Sequence, residues 1–123
     1  MDAKKILNAI EGFDYWDTGV SKLETNYLAD EVEIRHEDEE TTEIVYKFTG
    51  CYRVYFDHVK GYSKGRPVKE MTRGQIPYFM QDVDVSTIIE DEVEFYVCKI
   101  DMFPMEVEIW CKDIEVFKMD KSI

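Results

Sequence analysis

The stretch Glu43-Ile44-Val45-Tyr46-Lys47-Phe48-Thr49-Gly50-Cys51-Tyr52-Arg53-Val54-Tyr55-Phe56 decides the fold. Ile44, Tyr46 and Phe48 share one parity, while Glu43 and Lys47 share the other. Successive side chains on a strand point to opposite faces, so this alternation describes a strand with one face on a core and one in water. Gly50 interrupts the run, and Tyr52, Val54 and Phe56 resume it. Two such runs joined through a glycine predict antiparallel β-structure.

The same period extends outward in both directions. Upstream, Leu23, Thr25 and Tyr27 alternate with Lys22, Glu24 and Asn26, and Val32 and Ile34 alternate with Glu31, Glu33 and Arg35, with a turn at Ala29-Asp30. Downstream, Val83, Val85, Thr87 and Ile89 repeat the pattern. Val93 to Ile100 is apolar on both parities, which predicts a central strand covered on both sides. Met105, Val107, Ile109 and Cys111 share one parity and Ile114 and Val116 the other, so a bulge or tight turn at Lys112-Asp113 resets the register. Only Asp2 to Ile10 departs from period two. There Ala3, Ile6, Leu7 and Ile10 gather on one helical face, with Asp2 as cap and Gly12, tolerant of positive φ, as the stop. The expected fold is mainly β with one N-terminal helix (α+β). About seven or eight strands form a strongly bent antiparallel sheet, a sandwich or a half-open barrel, with residues 1–123 as a single domain.

Of the 123 residues 45% are hydrophobic, enough to bury a core. Lys and Arg number 15 against 27 Asp and Glu, a net charge of −12. Such a chain lacks the cations that neutralise phosphates, so direct nucleic-acid binding is not expected. No apolar run approaches the roughly 20 residues of a membrane span, and the opening Met1-Asp2-Ala3-Lys4-Lys5 has no apolar signal core. Cys51, Cys98 and Cys111 are odd in number, widely spaced and inside strand patterns, which suits reduced thiols used as small apolar filler in a cytoplasmic protein.

The negative charge is grouped. Glu37-Asp38-Glu39-Glu40 lies between two strands, Asp82 and Asp84 share one face of a strand, and Glu90-Asp91-Glu92 lies between two more. Each group reads as a solvated polar surface or as part of an acidic docking rim for a basic partner. The 37–40 run lacks the spaced ligands and glycine of a calcium loop, and no His or nucleophile completes the Asp82–Asp84 pair. His36 falls on the inward parity of its strand and His58 abuts a basic stretch. Neither forms a metal or nucleophile signature with the cysteines, so no metal, cofactor or catalytic residue is expected. Trp16 and Trp110 read as core residues.

From Gly61 to Gln75 alternation stops, and Lys60, Lys64, Arg66, Lys69 and Arg73 accompany Gly61, Gly65, Pro67 and Gly74. A long surface loop is expected, with one helical turn near Val68 to Met71. It can serve as a phosphate site, as a contact for the protein's own acidic face, or simply as a soluble connection. Tyr62 among these cations can stack on a base, against the repulsion of the whole chain.

Tyr15-Trp16-Asp17-Thr18-Gly19-Val20-Ser21-Lys22-Leu23-Glu24 resembles the opening of small bacterial immunity proteins from polymorphic toxin systems. Those proteins enter their first strand through a His-Asp pair; Asp17 matches the acid and Trp16 stands in place of the histidine. Ile44 to Cys51 and Ile109 to Ile114 are similar to later strands of the same group. The resemblance implies a sheet-rich, cytoplasmic, antitoxin-type protein that binds a toxin. The acidity agrees, since a toxin that is a nuclease has a basic cleft which carboxylates can occupy. The expected function is therefore non-enzymatic neutralisation of a basic toxin domain, with Glu37, Asp38, Glu39, Glu40, Asp82, Asp84, Glu90, Asp91 and Glu92 as contacts. The alternatives are a small-ligand-binding or enzymatic β domain with a site beneath loop 61–75, and a subunit of a larger assembly. Asp17 is expected to cap the turn before the first strand through its carboxylate.

Overall fold

The computed structural model describes residues 1–60, 62 and 67–121. Helix α1 (Ala3–Glu11) precedes eight strands: β1 (Val20–Asn26), β2 (Glu31–Glu37), β3 (Thr42–Thr49), β4 (Arg53–His58), β5 (Asp82–Glu90), β6 (Val93–Met102), β7 (Met105–Cys111) and β8 (Asp113–Asp120). They form two antiparallel four-stranded sheets, ordered β1-β2-β3-β8 and β4-β7-β6-β5. The α+β class and the sandwich-like choice among the expected architectures are borne out, and the sheets do not close into a barrel.

The alternating patterns explain the core. Val32, Ile34, Ile44, Tyr46 and Phe48 of the first sheet meet Val85, Cys98, Ile100, Val107 and Ile109 of the second in one buried cluster. Helix α1 closes the side between β5 and β8 with Ile10 fully buried. The Asp2 carboxylate caps the helix by accepting from the Lys5 N–H at 3.0 Å, as its position predicts. Gly12 ends it without a left-handed turn, at φ −64°, donating to the Asn8 carbonyl at 3.0 Å.

Two corners carry the chain between sheets. After Thr49 it leaves the first sheet for β4, and after Cys111 it returns to β8. The parity change at Lys112-Asp113 is thus a change of sheet at a tight bend: Ile109 and Cys111 face the core from one side and Ile114 from the other. The corners lock together, since the Lys112 N–H donates to the Thr49 carbonyl at 3.0 Å and the Tyr52 N–H to the Trp110 carbonyl at 2.8 Å.

Strand β6 is interior to its sheet and apolar on both faces, as its sequence predicts. Its outer cover is made by side chains of the same sheet and its corner. Phe95, Val97 and Trp110 cluster with Ile88, Tyr52 stacks on Phe95 at 4.9 Å, and the Arg53 guanidinium lies 4.4 Å from the Trp110 ring centre.

Four local expectations are corrected. β1 stops at Asn26, and Tyr27 lies in the turn at φ 53° rather than in the strand. Tyr52 does not share the inward parity of Val54 and Phe56; it belongs to the corner and is exposed. Trp16 is not core but 69% exposed, in a loop whose Asp17 N–H donates to the Met80 carbonyl at 2.6 Å. That loop's cap comes from Thr18, whose hydroxyl donates to the Tyr15 carbonyl at 2.6 Å, while the Asp17 carboxylate has no hydrogen bond among the described residues. Among the described residues no helix is long and apolar enough to cross a membrane.

Candidate partner-binding face

The outer parity of the second sheet is built in rungs. One rung aligns Asp57, Glu106, Asp101 and Asp82 across all four strands, each acid opposite the next. The adjacent rung aligns Tyr55, Glu108, Lys99 and Asp84. Further along the strands come Arg53, Trp110, Val97 and Ser86. Carboxylates directly opposite one another repel, each pair at a cost of about 0.2–1 kcal/mol in a sheet. Among the described residues no ion pair offsets this; Lys99 stands one rung away and reaches Glu108 at 3.9 Å. The two acid-bearing rungs line an open hollow of about 520 Å³.

Polar contacts fix parts of this surface. Glu108 also accepts from the Trp110 indole N–H at 2.8 Å, and Asp101 accepts from the Phe103 N–H at 3.0 Å, tying down the turn between β6 and β7. Tyr55, exposed, lines the hollow within the second rung, and two more exposed rings lie close to it along the chain: Phe103, two residues after Asp101, and Trp16, in the loop pinned to Met80, two residues before Asp82. Aromatic rings beside charge are the usual anchors of protein contacts.

The outer parity of the first sheet is different in kind. Lys22 pairs with Glu24 and Glu33 at 3.2 Å each, and Arg35 pairs with Glu33 at 2.8 Å and Glu43 at 3.4 Å. Glu43 also accepts from the Ser21 hydroxyl at 2.5 Å. Burial pushes the Glu33 and Glu43 carboxyls up, but Lys22 and Arg35 outweigh it for the first, and Ser21 and Arg35 for the second, so both lie below the usual range. Lys22 and Arg35 thus compensate Glu24, Glu33 and Glu43 on this face, whereas among the described residues the first rung of the second sheet carries no ion pair.

The three acidic groups read from the sequence do not meet on one rim. Asp82 and Asp84 stand on the uncompensated face, at the start of β5. Glu90, Asp91 and Glu92 form the turn at the other end of that strand, eight residues or roughly 27 Å away, with Asp91 and Glu92 at φ 49° and 66°. The 37–40 run lies at the β2–β3 turn, and much of its charge is held within the molecule. Glu37 pairs with Arg73 and, at 2.7 Å, with Lys121. Asp38 and Glu39 pair with Lys118 at 3.2 and 3.4 Å, and Asp38 accepts from the Thr42 hydroxyl at 2.7 Å, so its carboxyl lies below the usual range. Glu40 is exposed. Sequence reading missed Asp57, Asp101, Glu106 and Glu108. Their outward parity was legible, but the pairing of β4, β5, β6 and β7 that lines them up was not.

Of the basic segment, Lys64 and Arg66 lie outside the described residues, as do Gly61 and Gly65. Val68–Glu70 and Arg73–Gln75 are short 3-10 turns, the first where a helical turn is expected. Arg73 contacts the protein's own acidic face through Glu37. Beneath this segment Val20, Leu23, Val68, Ile76, Met102 and Met105 line an apolar groove of about 270 Å³. Tyr62 stacks on His58 at 5.5 Å, and the His58 Nε2 hydrogen-bonds with the Tyr78 hydroxyl at 2.7 Å. The inward reading of His36 holds: it is fully buried, with Nδ1 2.8 Å from the Glu37 carbonyl and Nε2 3.2 Å from the Tyr46 hydroxyl. Burial raises the Cys51 thiol to about 11 and Cys111 to about 12, and pushes the wholly buried Cys98 up as well. Such thiols are poor nucleophiles. Among the described residues no group of three or more His, Cys, Asp and Glu is placed to hold a metal ion.

No curated protein matches the chain. A family model does: the one described as immunity protein PIM7 matches residues 2–118, through α1, both sheets and the acid-bearing face. With that match over nearly its whole length, and with the sheet-rich fold that its likeness to immunity proteins implies, the chain belongs to the PIM7 family of immunity proteins of toxin systems.

Proposed function

We propose that this protein is a non-enzymatic bacterial antitoxin. It binds a basic toxin domain, of nuclease type, in the cytoplasm, and it does so through the outer face of β4-β7-β6-β5. The family supplies the toxin. The observation that carries the location is the rung of Asp57, Glu106, Asp101 and Asp82, aligned across an uncovered sheet with no cation among them. A basic cleft that binds polyanions offers the missing cations, and the chain's net charge of −12 speeds the encounter. The rings of Tyr55, Phe103 and Trp16 then supply short-range contacts that slow dissociation. The competing site beneath the 61–75 loop is weaker, because its groove of about 270 Å³ is smaller than the roughly 300–1,000 Å³ of small-molecule pockets.

The test is association with the purified domain of a toxin gene found adjoining this one, measured against salt. Asp82→Lys with Asp101→Lys should slow association at least tenfold at low salt and flatten its salt dependence, and co-expression should no longer protect cells. Reversal of Glu90, Asp91 and Glu92 should change the rate far less. Equal rates for wild type and the rung variant, at every salt concentration, would overturn the assignment of this face.

A further inference from the structure

The turn between β1 and β2 consists of Tyr27, Leu28, Ala29 and Asp30, closed by the pairing of Asn26 with Glu31. Tyr27, Leu28 and Ala29 have φ of 53°, 58° and 66°. Left-handed backbone suits Gly and Asn, and side chains bearing a Cβ adopt it under strain. A turn that served only to reverse the chain would be formed more readily by residues such as Asn-Gly. The same tip turns its apolar side chains outward: Leu28 is completely exposed and Tyr27 is 76% exposed. Neither side chain makes a hydrogen bond or ring contact among the described residues.

The tip is nevertheless held. The Asp30 N–H donates to the Tyr27 carbonyl at 3.1 Å, and the Asp30 carbonyl accepts from the Cys51 N–H at 2.9 Å, fastening the turn to the β3–β4 corner. The exposed side chains of this strained, fastened turn bury nothing in the fold, and the turn loses little freedom on entering a partner. Its flanks select the partner. Asp30 and Glu31 have no ion pair among the described residues, whereas Glu24 is held by Lys22. A carboxylate collar on a chain of −12 is repelled by anionic bilayers and attracted to cations on a protein.

We propose that Tyr27 and Leu28 are a preorganised anchor which enters an apolar socket rimmed by Lys or Arg on the cognate toxin. This rests on the reading of the chain as a toxin-binding protein. It is a second point of contact, because about 20 Å of chain separates the Cys51 corner from Asp57 of the carboxylate rung.

Leu28→Gly combined with Tyr27→Asn separates the anchor from the fold, because both residues tolerate left-handed backbone and the urea midpoint should hold or rise. Calorimetry with the purified domain of a toxin gene found adjoining this one should show affinity reduced 10- to 100-fold, mainly through faster dissociation. An affinity within twofold of wild type would overturn the anchor and leave the toxin-binding reading standing. Failure of the wild-type chain to bind that domain would overturn the reading, and the anchor with it. Sedimentation of both proteins alone is the control: a wild-type dimer that the double variant abolishes would assign the tip to self-association and overturn the proposal.

Discussion

Gly50 and Lys112 lie so close at the paired corners that a Cβ on Gly50 would stand 2.9 Å from both Cβ and Cγ of Lys112. Gly50 also has φ +63°, a conformation in which an L side chain is strained whatever the space. These are the points where the chain changes sheets in both directions, so the two four-stranded layers are registered through this contact. Gly50→Ala should cost about 1–3 kcal/mol from backbone strain and crowding together. Urea unfolding measures it, and Lys112→Gly in the same chain should recover the crowding part alone. A loss under about 0.5 kcal/mol, no more than an ordinary surface change, would mean that the corners are not tightly packed.

His36 sets the pH response near neutrality. Burial holds its pKa below the ordinary 6.5, against the opposing pull of the Glu37 carbonyl and the charges of Asp38 and Glu37. Between the folded value and 6.5 the unfolded chain binds the extra proton and the folded chain does not. Stability should therefore be full above about pH 6.5 and fall as the pH drops below it. The check is the urea midpoint between pH 5 and 8, which should decline on the acid side in wild type and much less in His36→Phe. An identical slope in both would remove His36 as the cause.

Glu43 governs a lower window. It is nearly buried, accepts from Ser21 and pairs with Arg35, and its carboxyl lies below the usual range. A depressed carboxyl contributes stability that is present above its unfolded value of about 4.3 and lost as the pH falls through the folded value. Glu43→Ala should cost about 1–3 kcal/mol at pH 7, the range for unmaking buried polar partners. The cost should shrink towards pH 3, where wild type has lost the same contact. A cost that does not change with pH would point to packing in place of charge.

The thiols should be inert in the native protein. A rise of the Cys51 thiol from 9.0 to about 11 lowers its thiolate fraction about 100-fold, and Cys98 and Cys111 are buried besides. Ellman's reagent at pH 8 should modify Cys51 slowly and the other two only after unfolding. Prompt reaction of all three would show that the corner and the core open readily.

These contacts also show what a sequence can convey. Period two revealed about seven or eight strands and most of the residues that face the core, because parity is a local property of the chain. It failed towards the end of β5, where Thr87 and Ile89 do not follow Val83 and Val85 inward and Ile89 is exposed. Parity cannot tell that Lys112-Asp113 is a crossing between layers, since a bend and a crossing reset the register alike. Trp16 was misplaced because size and apolarity favour burial, while its loop is pinned by backbone bonds to Met80 that no pattern encodes. The acidic character is legible from composition, yet the candidate site is only partly so. Asp82 and Asp84 were found as neighbours in sequence, whereas their partners Asp57, Asp101 and Glu106 are neighbours only through strand order. The 37–40 run is conspicuous by its density, yet Glu37, Asp38 and Glu39 are paired with Lys118, Lys121 and Arg73, residues distant in the chain.

If the carboxylate rung is kept for a partner, it should be a burden to the free protein. Asp101 stands between Glu106 and Asp82, with like charge on both sides. Asp101→Asn retains an acceptor for the Phe103 N–H while removing the charge. Repulsion across two cross-strand pairs should then be relieved, raising stability by about 0.4–2 kcal/mol in all, with Glu106→Gln giving a similar gain. High salt should imitate the substitution in wild type, because near 1 M the Debye length falls to about 3 Å, below the roughly 5 Å between directly opposed side chains. The gain from Asp101→Asn should accordingly shrink as salt is raised. The same substitutions should weaken toxin binding, so stability and affinity move in opposite directions, as expected where a surface is shaped by function. Thermal or urea unfolding of the free protein, beside binding at matched salt, measures both. Should neutralising Asp101 and Glu106 lower the stability of the free chain, the rung would be a structural feature with its charges satisfied within the fold, and the partner face would have to be sought at the β1–β2 tip alone.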